Sequence, residues 1–236
     1  MALPELNTAR YSMVIPSTGQ TVNYRPYLVK EEKILMMAME SDDNKVIARA
    51  TVDVIKSCIE DKIDVDGLAM FDIETIFLAL RSKSVGESME LKIKCGDESC
   101  NKVSDVYINF DDIEIPEISN EKTNIMLTDD VGVVMKYPSM RDVEKMGNVD
   151  DTDAEQAMSM IMACIDSIFD ADAVYPASDE SSKSLTKFVD SLNNVQFLKL
   201  SEFFRDMPAV THTVNYKCEC GKEQEQVLRG LSSFFT

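Results

Sequence analysis

Four of the six cysteines form two close pairs, Cys95 with Cys100 and Cys218 with Cys220. Cysteine thiolates are soft metal ligands, and a zinc ribbon builds a closed tetrahedral site from two such pairs at the tips of facing hairpins. Gly221 directly follows the second pair, and glycine permits the tight turn that directs backbone amides toward bound sulfur. The sequence therefore predicts a structural zinc site with these four cysteines as its ligands.

The spacing within the pairs leaves two alternatives open. A ribbon usually has about two residues between paired ligands. This chain has four between the first pair and one between the second. Reduced thiols without metal and disulfides are therefore alternatives, and disulfides fit a reducing cytoplasm least. Cys58 and Cys164 fall on apolar helical stripes, where cysteine behaves as a small hydrophobic residue, and we assign them no chemistry.

The sequence contains no motif for catalysis or for binding an organic cofactor. His212 is the single histidine, and its alternating strand pattern favours a hydrogen-bonded or solvated ring over a metal ligand or proton carrier. There is no Gly-x-Ser-x-Gly elbow, no phosphate-binding glycine loop and no His-Glu-x-x-His helix. We predict no catalytic and no cofactor-binding residues. A metal-dependent or carboxylate hydrolase remains an alternative, because paired carboxylates meet only in three dimensions.

The charge of the chain bears on its partners. Lysine and arginine number 24 against 42 acidic residues, and the formal net charge of −18 repels phosphate backbones and anionic lipids. The apolar run Ile34–Met39 is far shorter than the roughly 18 residues that span a bilayer. Met1–Glu5 lacks the basic and apolar segments of a secretory signal. We expect no nucleic-acid or membrane partner and a location in the cytoplasm where the protein is made.

Two hairpins must position the paired cysteines. Apolar and polar residues alternate on both sides of the first pair, as in two strands joined at that pair. The apolar members are Met89, Leu91, Ile93, Val106, Ile108 and Phe110. The second pair follows a similar alternation, formed by Val210, His212, Val214 and Tyr216. It precedes a return strand over residues 223–228. Residues 85–116 and 209–236 are therefore predicted to form a discontinuous zinc-ribbon-like β module.

Helices and two further hairpins account for the rest of the chain. Apolar residues at helical spacing predict helices over residues 29–40, 45–62, 68–81, 139–146, 157–168, 184–192 and 196–207. Turn residues predict hairpins over residues 10–27 and 125–137. The predicted fold class is α+β, a helical core with short antiparallel β-hairpins and the zinc-ribbon-like module.

This pattern divides the chain into three predicted parts. Residues 1–84 form an N-terminal hairpin plus helices, and residues 117–208 form a hairpin plus a helical region. Residues 85–116 and 209–236 form the β module between them. No low-complexity linker marks the boundaries.

Two groups of apolar residues have open roles. The 15 methionines include three clusters: Met36, Met37 and Met39; Met135, Met140 and Met146; and Met158, Met160 and Met162. Methionine side chains adapt to irregular partners, but packing in the core is the simpler interpretation, which we favour. Phe234 and Phe235 lie side by side near the end of the chain, so one of them docks either on a partner or within the chain itself.

Segments near both ends of the chain carry a family resemblance. They are Tyr11–Gly19, Val22–Lys33, Ala38–Ser41, Tyr216–Glu223, Leu228, Gly230 and Phe234-Phe235. These segments resemble the baseplate hub assembly proteins of T-even-type (T4-like) phages. The single residue between Cys218 and Cys220 departs from the commoner two-residue knuckle.

The resemblance implies a non-enzymatic function in building the tail baseplate hub. The partners it implies are other phage baseplate or hub proteins, and the location is the cytoplasm of the infected bacterial host. A permanent structural subunit of the virion baseplate is the main alternative. The sequence predicts no particular oligomeric state and no identity for the partners.

Overall fold

The computed structural model describes residues 7–41, 43–97, 99–100, 102–115, 118, 123–145 and 153–234. It forms two compact units, which we call the split unit, residues 1–117 with 209–236, and the continuous unit, residues 118–208. Helices and short antiparallel sheets occur in both, so the α+β class is confirmed. The predicted three-part division stays a prediction. Among the described residues, no helix has both the length and the apolar character needed to cross a membrane.

The helices and strands of the described residues follow in chain order. They are β1 (Tyr11–Val14), β2 (Thr21–Tyr24), α1 (Val29–Met39), α2 (Asn44–Cys58), α3 (Met70–Ser84), β3 (Ser88–Lys94), β4 (Val103–Asn109), β5 (Asn124–Met126), β6 (Gly132–Met135), α4 (Met140–Lys145), α5 (Asp153–Cys164), β7 (Ile165–Phe169), β8 (Val174–Pro176), α6 (Ser182–Asp190), α7 (Asn194–Arg205), β9 (Thr211–Lys217) and β10 (Glu223–Arg229).

The split unit contains α1 to α3 and three separate antiparallel hairpins, β1–β2, β3–β4 and β9–β10. Helix α3 is buried along most of its length, because apolar residues occur on nearly every face of it. One core cluster joins α3 to β3–β4 and β9–β10. Its buried members are Leu78, Met89, Leu91, Ile93, Ile108, Phe110, Ile113, Val210, Val214, Leu228 and Phe234. The two predicted cysteine hairpins therefore share one apolar core.

The continuous unit contains a four-stranded antiparallel sheet in the order β5-β6-β7-β8, with α4 to α7. Its core combines residues of the sheet with residues of α5, α6 and α7. The buried members are Leu127, Val133, Met135, Ile161, Cys164, Ile165, Val189, Leu200 and Phe203. Gly132 pairs with Phe169, whose ring occupies the space that a Cβ atom at Gly132 would need. A side chain at this point of the sheet would therefore have to displace the Phe169 ring.

The prediction of one helix through Ile165 and Ile168 is wrong. Helix α5 ends at Cys164, and the chain enters β7 at the next residue. The Cys164 carbonyl accepts a hydrogen bond from the amide of Lys136 at 2.7 Å. β-Branched isoleucine and aromatic Phe169 favour a strand, and the edge of β6 supplies the backbone partners. The predicted hairpin over residues 125–137 is accordingly two strands of a larger sheet.

Two interpretations of apolar side chains are also resolved. Met36, Met37 and Met39 are exposed on α1, with Met37 at 71%, so packing in the core is wrong for these three. Met135 and Met140 are buried, as the core interpretation predicted. Phe234 is buried in the core of the split unit, which is the docking within the chain that one alternative predicted. Phe235 lies outside the described residues.

Candidate metal centre

The first cysteine pair lies at the tip of the β3–β4 hairpin. Cys95 continues the alternation of β3, and its amide donates a hydrogen bond to the Lys102 carbonyl at 3.0 Å, which closes the strand pairing below the tip. The Cys100 amide donates to the Asp97 carbonyl at 2.8 Å, so the chain turns back between the two cysteines. The thiol of Cys95 is buried and that of Cys100 is half-buried.

The second pair lies at the tip of the β9–β10 hairpin and repeats this arrangement in a shorter turn. The Cys218 amide donates to the Lys222 carbonyl at 3.0 Å, and the Gly221 amide donates to the Cys218 carbonyl at 2.8 Å. Gly221 has a φ of +90°, which a side chain at this position would disfavour. Cys218 is buried, whereas Cys220 is exposed.

The two tips bring all four predicted ligands together. The Sγ atoms of Cys95, Cys100, Cys218 and Cys220 all lie within 4.8 Å of one another. Those of Cys100 and Cys218 are 3.8 Å apart. A tetrahedral ion with zinc–sulfur bonds of about 2.3 Å separates its ligand sulfurs by about 3.8 Å. The donor set and its spacing therefore fit a closed tetrahedral zinc site.

The thiols of the cluster differ in acidity. The Cys220 amide donates to the Cys218 sulfur and lowers the pKa of Cys218 to about 7, with a contribution from the other thiols and against the effect of burial. The Asp97 amide lowers the pKa of Cys95, but burial and the three neighbouring thiols outweigh it and raise that pKa to about 12. Cys218 is therefore the first of these two thiols to ionise, and a bound cation is needed to hold the full set as thiolates.

Two ion pairs cross between the tips. The Lys102 ammonium lies 3.1 Å from the Glu219 carboxylate, and the Lys222 ammonium contacts the Asp97 carboxylate. Each acid raises the pKa of its lysine, and thiols of the cluster add to the effect. Both lysines therefore stand close enough to the sulfurs to interact with their charge.

Polar contacts also join the hairpins just below the tips. The Tyr216 hydroxyl donates to the Lys94 carbonyl at 3.3 Å. A Cβ atom at Gly96 would lie 3.0 Å from the Oε1 atom of Gln224, so the two tips are in close contact at this point. The sulfur cluster is thus supported by contacts that do not depend on a metal ion.

The base of the β9–β10 hairpin is held by Glu74 of α3. Its carboxylate accepts hydrogen bonds from the Val210 amide at 3.3 Å and the Leu231 amide at 3.1 Å. Burial raises the pKa of Glu74, although these amides and Arg229 oppose the effect. Sequence reasoning missed this residue, because a glutamate within a helix carries no signal that it binds amides far along the chain.

His212 lies in β9, as its alternating pattern predicted, and that prediction is confirmed. Its Nδ1 atom is 2.9 Å from the Asp112 carbonyl, and this nitrogen carries the proton because a carbonyl can only accept. The neighbouring residue Thr211 exchanges two backbone hydrogen bonds with Glu114, at 2.8 and 3.1 Å. The histidine therefore has a structural position in the split unit.

The two remaining cysteines are buried apart from the cluster. Burial raises the pKa of Cys58 to about 11 and that of Cys164 to about 12. Both thiols are therefore protonated at neutral pH and behave as small hydrophobic side chains.

The three carboxylate residues classed as buried among the described residues, Glu31, Asp72 and Asp142, have structural partners. Asp72 accepts hydrogen bonds from the amide and hydroxyl of Ser17 and from the Ala69 amide. Glu31 and Asp142 each accept from the amide that precedes their own helix. These groups satisfy helix ends, and the hydrolase alternative gains no support from them.

Comparison with known proteins gives matches over almost the whole chain. The sequence model of a family described as "T4 bacteriophage base plate protein" matches residues 8–236. The baseplate hub assembly protein gp26 of Enterobacteria phage T4 is 24% identical over 230 residues, which cover 95% of this chain and 97% of that protein. No solved structure matches the chain. The four clustered cysteines all lie within the matched residues.

Proposed function

Because the chain belongs to the family of T4 bacteriophage base plate proteins, we propose that it acts without catalysis in assembling the tail baseplate hub, through contacts with other phage proteins. The resemblance inferred from the sequence is thereby confirmed at the level of the family. The observation that carries the proposal is the match to a protein named for hub assembly, which covers nearly all of both chains. The proposed location is the host cytoplasm during assembly.

In this proposal, Cys95, Cys100, Cys218 and Cys220 hold one structural Zn²⁺ ion. Protein sulfurs would fill all four positions of a tetrahedral site, which leaves no open position for a substrate. When bound, the ion supplies a cross-link between two hairpins that are more than 100 residues apart in the chain, Cys100 and Cys218 being separated by 118. Such a cross-link stabilises the split unit at the place where its two segments meet.

Helix α1 offers the contact surface that this role requires. Val29, Met36 and Met37 are 65%, 58% and 71% exposed, and they lie opposite the buried face formed by Glu31, Leu35 and Ala38. Exposed apolar residues on one helix face are typical of interaction sites, and methionine adapts to the shape of a partner. We therefore propose α1 as the face that contacts a hub protein.

Co-expression with each hub protein of the same phage tests this function. We expect a stoichiometric complex with one of them in size-exclusion chromatography, and we expect Met36→Asp with Met37→Asp to abolish it. The matched control is Val195→Asp with Leu198→Asp, which changes two side chains of similar exposure, 66% and 53%, on α7. A complex that survives the α1 change and is lost with the α7 change contradicts the proposed face. The absence of a complex with every hub protein contradicts the proposed function.

A permanent place in the virion is the second candidate, favoured by the family description as a base plate protein. Quantitative mass spectrometry of purified virions separates the two. Detection in a fixed ratio to known baseplate subunits supports a permanent subunit. Its presence in infected-cell assembly intermediates and loss from finished virions supports an assembly factor.

A further inference from the structure

The two cysteine knuckles share one pattern of contacts despite their different lengths. In each, the amide of the first cysteine donates to the carbonyl of the lysine that lies two residues after the second cysteine. These lysines are Lys102 and Lys222. Each lysine then pairs through its ammonium with an acid located between the two cysteines of the opposite hairpin, Glu219 or Asp97. The contacts are therefore reciprocal, although four residues separate one cysteine pair and one residue separates the other.

We propose that Lys102 and Lys222 are positioning residues of the metal site, which clasp the two knuckles together in the geometry that binds the ion. The inference rests on the zinc site proposed above and goes beyond its ligands. Each lysine contacts its own knuckle through the carbonyl and the opposite knuckle through the ammonium. A change at either lysine therefore alters the relative position of both cysteine pairs.

Charge gives the lysines a second reason to act on the ion. Four thiolates around Zn²⁺ carry a net charge of −2, and both ammonium groups interact with thiols of the cluster. Both ion pairs are also partly exposed: the side-chain exposures are 53% and 73% for Lys102 and Glu219, and 62% and 18% for Lys222 and Asp97. Exposed pairs contribute little to folding by themselves, so the effect of these lysines belongs in metal retention rather than in the stability of the unit.

The test measures zinc transfer from the full chain to a chromogenic chelator and the absorption spectrum of the cobalt-loaded protein. We expect Lys102→Ala or Lys222→Ala to speed zinc release about threefold, and the double variant about tenfold. The cobalt d–d bands of the double variant should shift, because the thiolates no longer hold the same geometry. Lys92→Ala is the matched control, since Lys92 is an exposed lysine on β3, and it should leave both readouts unchanged.

A charge exchange separates clasping from general electrostatics. The variant Lys102→Glu with Glu219→Lys restores the ion pair in reverse, and we expect it to return the release rate to within about twofold of the wild type, whereas Lys102→Glu alone releases zinc faster than Lys102→Ala. A double-alanine variant with wild-type rate and spectrum overturns the clasp while the zinc site stands. A wild-type chain that takes up neither zinc nor cobalt overturns the zinc site itself, and the clasp with it.

Discussion

The split unit holds most of the buried apolar residues of the described chain, and the two units stabilise their folds by different means. The split unit has three separate two-stranded hairpins, and a two-stranded hairpin is marginally stable by itself. It also contains the cluster of four thiols and two carboxylates, Asp72 and Glu74, that accept hydrogen bonds from segments far away in the chain. We call these two carboxylates the polar clamps. The continuous unit pairs four strands in one sheet, and its described residues contain no such group of thiols. Fragmented sheets thus coincide with cross-links, and a continuous sheet with apolar packing.

Aromatic pairs contribute to the packing of both units. In the continuous unit, the rings of Tyr137 and Phe203 stack with centroids 5.4 Å apart, and Phe204 meets Phe203 edge to face at 5.3 Å. Such pairs add to the free energy gained from burial alone. The continuous unit should therefore keep its fold under treatments that remove metal from the split unit.

Loss of a buried sulfur ligand should have the largest effect, and only in one unit. We expect Cys218→Ser to lose zinc and to destabilise the split unit by more than about 5 kcal/mol, because metal binding free energy is folding free energy. Hydrogen exchange with mass spectrometry should show lost protection in β9 and β10 and retained protection in β7 and α7.

Cys164→Ala supplies the control from the continuous unit, since Cys164 is equally buried. It should keep zinc at full occupancy and lower protection only around α5 and β7. Joint loss of protection in both units after Cys218→Ser would contradict the independence of their cores.

The cysteine hairpins were predictable because two short-range signals agreed. The alternation in β3, β4, β9 and β10 fixes which residues face the core, and a cysteine pair interrupts it at each tip. The fold class followed from the same alternation together with helical spacing elsewhere. Metal binding stays a prediction, since the sulfur positions describe only the ligands.

Other features depend on partners far away in the chain and so left no local signal. Helix α2 stops at Cys58 instead of continuing to Lys62, because Ile59 bridges to Tyr24 of β2. The apolar spacing at Ile165 fits a helix as well as a strand, and only the edge of β6 decides between them. Tertiary pairing overrides a weak local preference in both cases.

Asp72 tests the polar clamps of the split unit. Asp72→Ala leaves the amide and hydroxyl of Ser17 and the amide of Ala69 without their acceptor, so we expect a loss of about 3 kcal/mol in the free energy of unfolding. Urea unfolding followed by circular dichroism measures it. Ser17→Ala removes a single hydroxyl donor and should cost less than half as much; equal losses would mean that the carboxylate acts through something other than these hydrogen bonds.

Gly132 tests the packing of the continuous unit. Gly132→Ala places a methyl group against the Phe169 ring, and we expect a loss of about 2 kcal/mol confined to that unit, with no change in zinc content. Phe169→Leu removes the ring, so the double variant should be less destabilised than the sum of the single changes. Strict additivity in urea unfolding would argue against the contact.

The smallest expected effect is the pH dependence of two carboxylates. As pH rises, the contribution of Asp142 to the free energy of unfolding should increase and that of Glu74 should decrease. Burial alone would raise the pKa of Asp142, but hydrogen bonds from Ser139 and the charge of Lys136 outweigh it and lower that pKa. Asp142 therefore stabilises the continuous unit above the pKa of the unfolded chain, about 3.9, and loses this effect as pH falls through its folded pKa. Glu74 has a raised pKa, so its contribution is greatest below about pH 4.3 and declines as pH rises through the folded value.

Replacing Asp142 with asparagine and Glu74 with glutamine removes each titrating carboxyl group with little change in side-chain shape. Asp142→Asn should lower the free energy of unfolding by about 1 kcal/mol at pH 7, with the difference closing toward pH 3. Glu74→Gln should match the wild type near pH 4 and exceed it by less than about 1 kcal/mol at pH 7, because glutamine keeps an oxygen for the two amides and carries no buried charge. Urea unfolding measures each variant beside the wild type at pH 3, 5 and 7. Both proteins have the same thiols, so the effect of thiol ionisation cancels in the difference between their free energies of unfolding. If the difference from the wild type changed in the same direction with pH for both variants, the pKa values of these two carboxylates would not be shifted in opposite directions.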